Sequence, residues 1–149
     1  MVKVLASPTR ILGECPAGHQ MGDELVIEGP VVRAVKGPLC YVALSAFTDQ
    51  VTQIRRRERV TSHLSCPGCS FDSDRENRVI FVLGSVDAWG LSRKYSMYNW
   101  ARLDGRATEA SAHYCDLSWQ LTQAGKYVEA EEAIEQAIKH LKPIGRSMG

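Results

Sequence analysis

The sequence predicts an α+β fold: a small β-β-α-β module carrying a cysteine-rich, metal-suited segment, followed by a C-terminal helical hairpin. Three observations carry that expectation. Short apolar runs bounded by glycine and proline fill the first part of the chain, as strands require. One stretch there, LCYVALSAFTDQVTQIRRRE, instead repeats its apolar residues at helical spacing. Beyond Gly84 the composition shifts to Trp, Tyr, Ala and Glu, with no proline before Pro143. The module is therefore assigned to residues 1–84 and a helical tail to residues 85–149.

Taken in order, Val2 to Leu12 and Glu24 to Glu28 alternate or run apolar and predict a β-hairpin whose long loop is the turn-rich segment Cys15 to Gly22. The Gly29-Pro30 and Gly37-Pro38 pairs break the chain. Leu39, Val42, Ala43, Ala46 and Phe47 then predict a helix from about Leu39 to Arg57. SCPGCSFDSDREN reads as a turn region, and Arg78 to Leu83, rich in β-branched and aromatic residues, reads as the last strand.

With 149 residues the chain can bury roughly 70% of its unfolded surface as one domain with an appendage. Hydrophobic residues at 44%, charged residues at 23% and a net charge of +1 exclude a disordered chain and a histone-like polycation. No apolar run approaches the roughly 20 residues of a bilayer span, so no membrane role is expected. MVKVLASPTR has no hydrophobic core behind its lysine that could serve as a signal peptide, so a cytoplasmic location is expected. In a reducing compartment the five cysteines favour free thiols or metal ligands over disulfides.

Cys66-Pro67-Gly68-Cys69 is a C-x2-C knuckle, a spacing that lets two thiolates wrap one tetrahedral ion. Cys15-Pro16-Ala17-Gly18-His19 can supply the other half, so Cys15, His19, Cys66 and Cys69 would form a Cys3His zinc site. Cys40 and His63 compete for the fourth position, and Cys15, Cys40, Cys66 and Cys69 could instead hold an iron-sulfur cluster. The bland alternative is that Cys15 and Cys40 are buried small hydrophobes and CPGC is a surface turn. A thioredoxin-like role for CPGC is weaker, because the motif runs into acidic residues before a strand instead of opening a helix.

Residues 2–83 resemble a family of small uncharacterised prokaryotic proteins marked by a CPAGH-x-x-GDEF segment, a C-x-x-ALSA helix and a cysteine before the last strand. The matching residues are Cys15-Pro-Ala-Gly-His-Gln-Met-Gly-Asp-Glu-Leu25, Cys40-Tyr-Val-Ala-Leu-Ser-Ala46 and Cys66-Pro67. The resemblance implies a fold and a cysteine pattern, with no established reaction. That pattern often lacks a cysteine at the position of Cys69, which makes Cys15, His19, Cys40 and Cys66 the shared set.

Ser111 to Pro143 resembles a tetratricopeptide (TPR) repeat: Tyr114, Leu117, Ser118 and Leu121 on a first helix, AGKY at the turn, Ala130 and Ala137 on a second, then Pro143. Small residues at 118, 130 and 137 let two helices approach closely, with Tyr114, Leu117, Tyr127 and Ile134 expected in the seam. Serine stands where that repeat usually has glycine. One such repeat cannot cover its own apolar face, so Val86 to Leu103, a protein partner or a second copy of the chain is expected to cover it. Tyr114, Leu117, Tyr127 and Ala130 are the candidate partner-binding residues. Glu129, Glu131, Glu132 and Glu135 early in the second helix, with Lys139 and Lys142 late, suit the helix dipole.

Arg55, Arg56, Arg57 and Arg59, with Arg33 and Lys36, form a possible anion patch. A solvated helix end explains them as well, and no aromatic-rich strand or glycine-rich phosphate loop accompanies them, which argues against nucleic acid. Asp23 and Glu24, as neighbours on a strand, point to opposite faces and make a poor acid-base pair. Ser45 and Ser118 have no Gly-x-Ser-x-Gly context, and no nucleotide-binding fingerprint is present. The functional expectation is a metal-stapled accessory or adaptor protein that binds a partner through its helical tail. The alternative is an iron-sulfur or cysteine-based redox protein or enzyme subunit.

Overall fold

The computed structural model describes residues 2–68 and 77–144, and they form an α+β protein with a five-stranded antiparallel sheet and five helices. In chain order these are β1 (Val4–Leu12), β2 (Glu24–Glu28), β3 (Val31–Lys36), α1 (Tyr41–Ser45), α2 (Thr48–Arg55), β4 (Thr61–Ser65), β5 (Arg78–Ser85), α3 (Trp89–Leu103), α4 (Glu109–Gln123) and α5 (Tyr127–Lys139). A single 3-10 turn, Val86–Ala88, leads into α3. The chain divides into two compact units, residues 1–92 and 93–149.

The sheet order is β3-β2-β1-β5-β4, with β1 and β5 pairing over their whole lengths at the centre. The expected β-β-α-β order is corrected in two places, because β3 and β4 are also strands. Both are edge strands, each with a single neighbour. β3 leaves Val31 and Val35 exposed, and β4 is the polar stretch TSHLS, so neither has the composition of a buried strand. β3 pairs with β2 across the Gly29-Pro30 turn and β4 pairs with β5, so each is held by its one neighbouring strand and not by an apolar pattern of its own. Pro8, without an N–H to donate, is accommodated in central β1 by a register shift between Pro8 and Arg10.

The expected single helix over Leu39 to Arg57 is two helices. Between them the Ala46 N–H donates to the Ala43 carbonyl and the Phe47 N–H to the Leu44 carbonyl, three residues back in each case. The tightened turn breaks the run, and Phe47 sits at the break almost fully buried, edge-on to Phe81 at 5.1 Å. One face of the sheet, from Val4, Ala6, Leu25, Ile27, Val79, Phe81 and Leu83, packs with Ala43, Phe47, Val51 and Ile54 to make the core of this unit. On the other face Gly84 admits the start of α3. A Cβ there would overlap the Ser92 side chain and lie 3.3 Å from the Trp89 ring.

Just beyond α2 and its cap Arg56, Arg57 has a left-handed φ of 60°, and the Glu58 N–H reaches back to the Gln53 carbonyl at 2.9 Å. This is the helix-terminating geometry that usually employs glycine.

In the second unit α4 opens with a reciprocal cap. The Ser111 N–H donates to Thr108 Oγ1 (3.0 Å) and the Thr108 N–H donates to Ser111 Oγ (2.7 Å). Gly125, at φ 78°, turns the chain into α5. Contacts between Ser118 and Ala130, Thr108 and His140, and Arg106 and Lys142 run in opposite chain directions, so α4 and α5 form an antiparallel hairpin. Ala130, Ile134 and Ala137 on α5 and Ser111 and Ser118 on α4 are fully buried along its seam. Leu117, expected there, is exposed, while Tyr114 and Tyr127 are half-buried. The seam is closed by small residues, and bulky Leu117 falls on a flank of α4.

Candidate metal centre

The first unit contains a small cavity of about 20 Å³, and its wall includes Cys15, His19, Cys40 and Cys66. Three separate parts of the chain bring them there. Cys15 and His19 lie in the β1–β2 connection, where the Gly18 N–H donates to the Cys15 carbonyl at 2.9 Å and curls the segment. Cys40 immediately precedes α1. Cys66 follows β4 and continues its ladder, its N–H donating to the Val79 carbonyl (2.9 Å) while its Sγ accepts the Val79 N–H (3.2 Å). A sulfur accepting a backbone N–H is held in a fixed orientation. Val42, Ala43 and Val79 complete an apolar wall, with Asn77 and Arg78 also contributing.

His19 is the unusual member. Its side chain is only 2% exposed, and neither ring nitrogen makes a hydrogen bond. The ring stands edge-on to Phe81, with centroids 5.4 Å apart and planes at 89°. Its Nδ1 lies 3.8 Å from Oδ2 of Asp23, itself 4% exposed. Burial lowers the imidazole pKa, and the Asp23 carboxylate opposes that shift. Desolvation therefore dominates, and neutral imidazole is the favoured form, the one that binds metals.

Cys15, Cys40, Cys66 and Cys115 are free thiols. Cys69 lies outside the described residues. Among the described residues no three His, Cys, Asp or Glu side chains stand close enough to hold an ion as they are placed. The four donors share one cavity wall without converging. His63, the other candidate ligand, does not line the cavity; burial lowers its pKa, and its Nε2 makes no hydrogen bond.

Asp23 is the residue whose part in this region the sequence reading missed. The His19–Asp23 spacing of four residues was the signal available in the sequence. The Gln20 N–H donates to Asp23 Oδ2 (2.9 Å) and the Asp23 N–H returns to the Gln20 carbonyl (3.1 Å), folding the carboxylate back toward His19. Gly37, at φ 92°, makes room for it, because a Cβ there would overlap the carboxyl group.

The arginine run is dispersed. Arg55 donates to the carbonyls of Val2 (3.3 Å), Ile27 (3.5 Å) and Gly29 (2.7 Å), tying α2 to the sheet. Arg56, Arg57 and Arg59 are exposed, and Arg33 pairs with Glu28 at 3.8 Å. In the helical unit Ala130 is fully buried against α4, so its side chain contacts its own chain. Glu131 and Glu135 hold the Lys94 ammonium of α3, a partner beyond the helix-dipole role expected of them. Its hydrogen bond draws the Glu135 carboxyl below its ordinary range. None of the described helices is long and apolar enough to cross a membrane. No family model matches the chain, and no curated protein or solved structure is significantly similar to it.

Proposed function

We propose that the protein is an accessory or adaptor protein whose first unit is stapled by a zinc ion on Cys15, His19, Cys40 and Cys66, and whose helical tail docks on a partner. The observation that carries the reading is His19, a buried imidazole without a hydrogen bond on the wall that also carries three thiols. An orphaned buried polar group costs roughly 1–3 kcal/mol, and ligation would remove that cost. Three sulfurs and one nitrogen are a tetrahedral zinc donor set.

The donor types support zinc over the alternative: three thiols and one imidazole suit tetrahedral zinc, whereas a cluster ordinarily takes four thiolates. Binding would draw the thiols and the ring inward, because zinc-bound sulfurs sit about 2.3 Å from the metal and about 4 Å from one another. Such convergence on ligation is ordinary, since metal sites form together with their ions.

For the tail, support comes from the resemblance to a TPR hairpin and from Leu117, Trp119 and Val128, large apolar side chains exposed on α4 and α5. The partner is a protein or a second copy of the chain.

Titration of the reduced full-length protein with cobalt(II) and zinc tests the site. One ion per chain, a sulfur-to-cobalt charge-transfer band, and loss of both in Cys66→Ser are expected. A brown, iron-containing protein from anaerobic purification would replace zinc with a cluster. Absence of any bound ion would leave Cys66 as a buried hydrophobe and Cys15 and Cys40 as partly buried ones, and would overturn the reading.

A further inference from the structure

We infer that Asp23 is a positioning residue of this site: it holds the proton of His19 on Nδ1 and so presents Nε2 to the zinc. The inference rests on the zinc reading above and goes further by assigning the ligand atom and its support. Of the two ring nitrogens, Nδ1 is the one beside the carboxylate, 3.8 Å from Oδ2. A neutral imidazole carries one proton, and a carboxylate at that edge stabilises the tautomer with the proton facing it. The opposite nitrogen is then a lone-pair donor. Ligating histidines characteristically give their second nitrogen's proton to a carboxylate or carbonyl, which fixes the ring and raises its basicity.

The carboxylate is built into its place. The Asp23 side chain is 6% exposed, Oδ2 accepts the Gln20 N–H at 2.9 Å, and the Ser7 hydroxyl anchors the Asp23 carbonyl at 2.6 Å. Gly37 lies where any side chain would collide with it. The Phe81 ring restrains the imidazole plane from another side. Zinc binding at Nε2 is expected to close the 3.8 Å separation between Nδ1 and Asp23 to hydrogen-bond length.

The test uses the full chain loaded with zinc, reading the tautomer and ligation of His19 from long-range proton–nitrogen correlations of its ring. Nε2 bound to zinc with Nδ1 protonated is expected, together with a ten- to hundredfold weaker zinc affinity in Asp23→Asn at unchanged stoichiometry. Ligation through Nδ1, an unligated His19, or a folded Asp23→Asn with unaltered affinity would overturn this inference while leaving zinc binding intact. Failure of the wild-type protein to bind zinc or cobalt(II) at all would remove the site itself. Should Asp23→Asn not fold, the wild-type tautomer alone decides.

Discussion

The Ser118 hydroxyl donates to the Ala130 carbonyl at 2.7 Å, and both residues are fully buried. This contact crosses the hairpin of α4 and α5. Ser118 occupies a position where glycine would permit the same approach, and its hydroxyl adds a hydrogen bond at the seam. No larger side chain fits at either position without separating the helices.

Replacing Ala130 with leucine should therefore force α4 and α5 apart and cost roughly 1–3 kcal/mol. Urea denaturation followed by circular dichroism measures the loss. A neutral result would mean that the hairpin packs loosely, and the TPR reading would lose its physical basis.

Arg57 holds a left-handed conformation at the end of α2 with its side chain in solvent. Glycine adopts that conformation without the Cβ penalty, so Arg57→Gly should raise stability by about 1 kcal/mol. The shift in denaturation midpoint reports it. A destabilised variant would show that the arginine side chain has a partner worth more than the strain.

Burial lowers the pKa of His63 from its ordinary 6.5, and burial likewise lowers that of His19. A base whose folded pKa lies below its unfolded value takes up a proton on unfolding. Metal-free protein should accordingly keep its full stability above about pH 6.5 and lose it as the pH falls toward the folded pKa. His63→Gln should flatten part of that slope and leave the contribution of His19. Equal slopes in the two proteins between pH 7.5 and about pH 5 would rule His63 out as a source.

If zinc staples the first unit, its binding energy is folding energy. Chelation should lower the melting temperature of the zinc-loaded protein, and restored zinc should recover it. Identical melting curves before and after chelation would show that the cysteines contribute only as buried side chains.

Part of this architecture was legible in the linear sequence. The alternation of Val4 to Leu12, the apolar run of Arg78 to Leu83 and the alanines of α5 are local periodicities, and each lies on the element expected of it. β3 and β4 were not legible, since an edge strand is defined by the neighbour to which it bonds. The break at Ala46 and Phe47 was hidden for a related reason. Its apolar spacing continues through the break, and packing of Phe47 against Phe81 accompanies the turn.

The candidate site divides along the same line. By itself the sequence determined which donors exist, namely the thiols of Cys15, Cys40, Cys66 and Cys69 and the imidazoles of His19 and His63, because donor chemistry belongs to the residue; Cys69 lies outside the described residues, and of the others Cys15, His19, Cys40 and Cys66 line the cavity. Only the tertiary structure decided that these four share one cavity wall and that His63 is not part of it. The pairing of β5 with β1 and β4, together with the turn enforced at Gly22 and Gly37, sets those distances. Distances between residues far apart in the chain are set by how the sheet closes, and no local pattern encodes them.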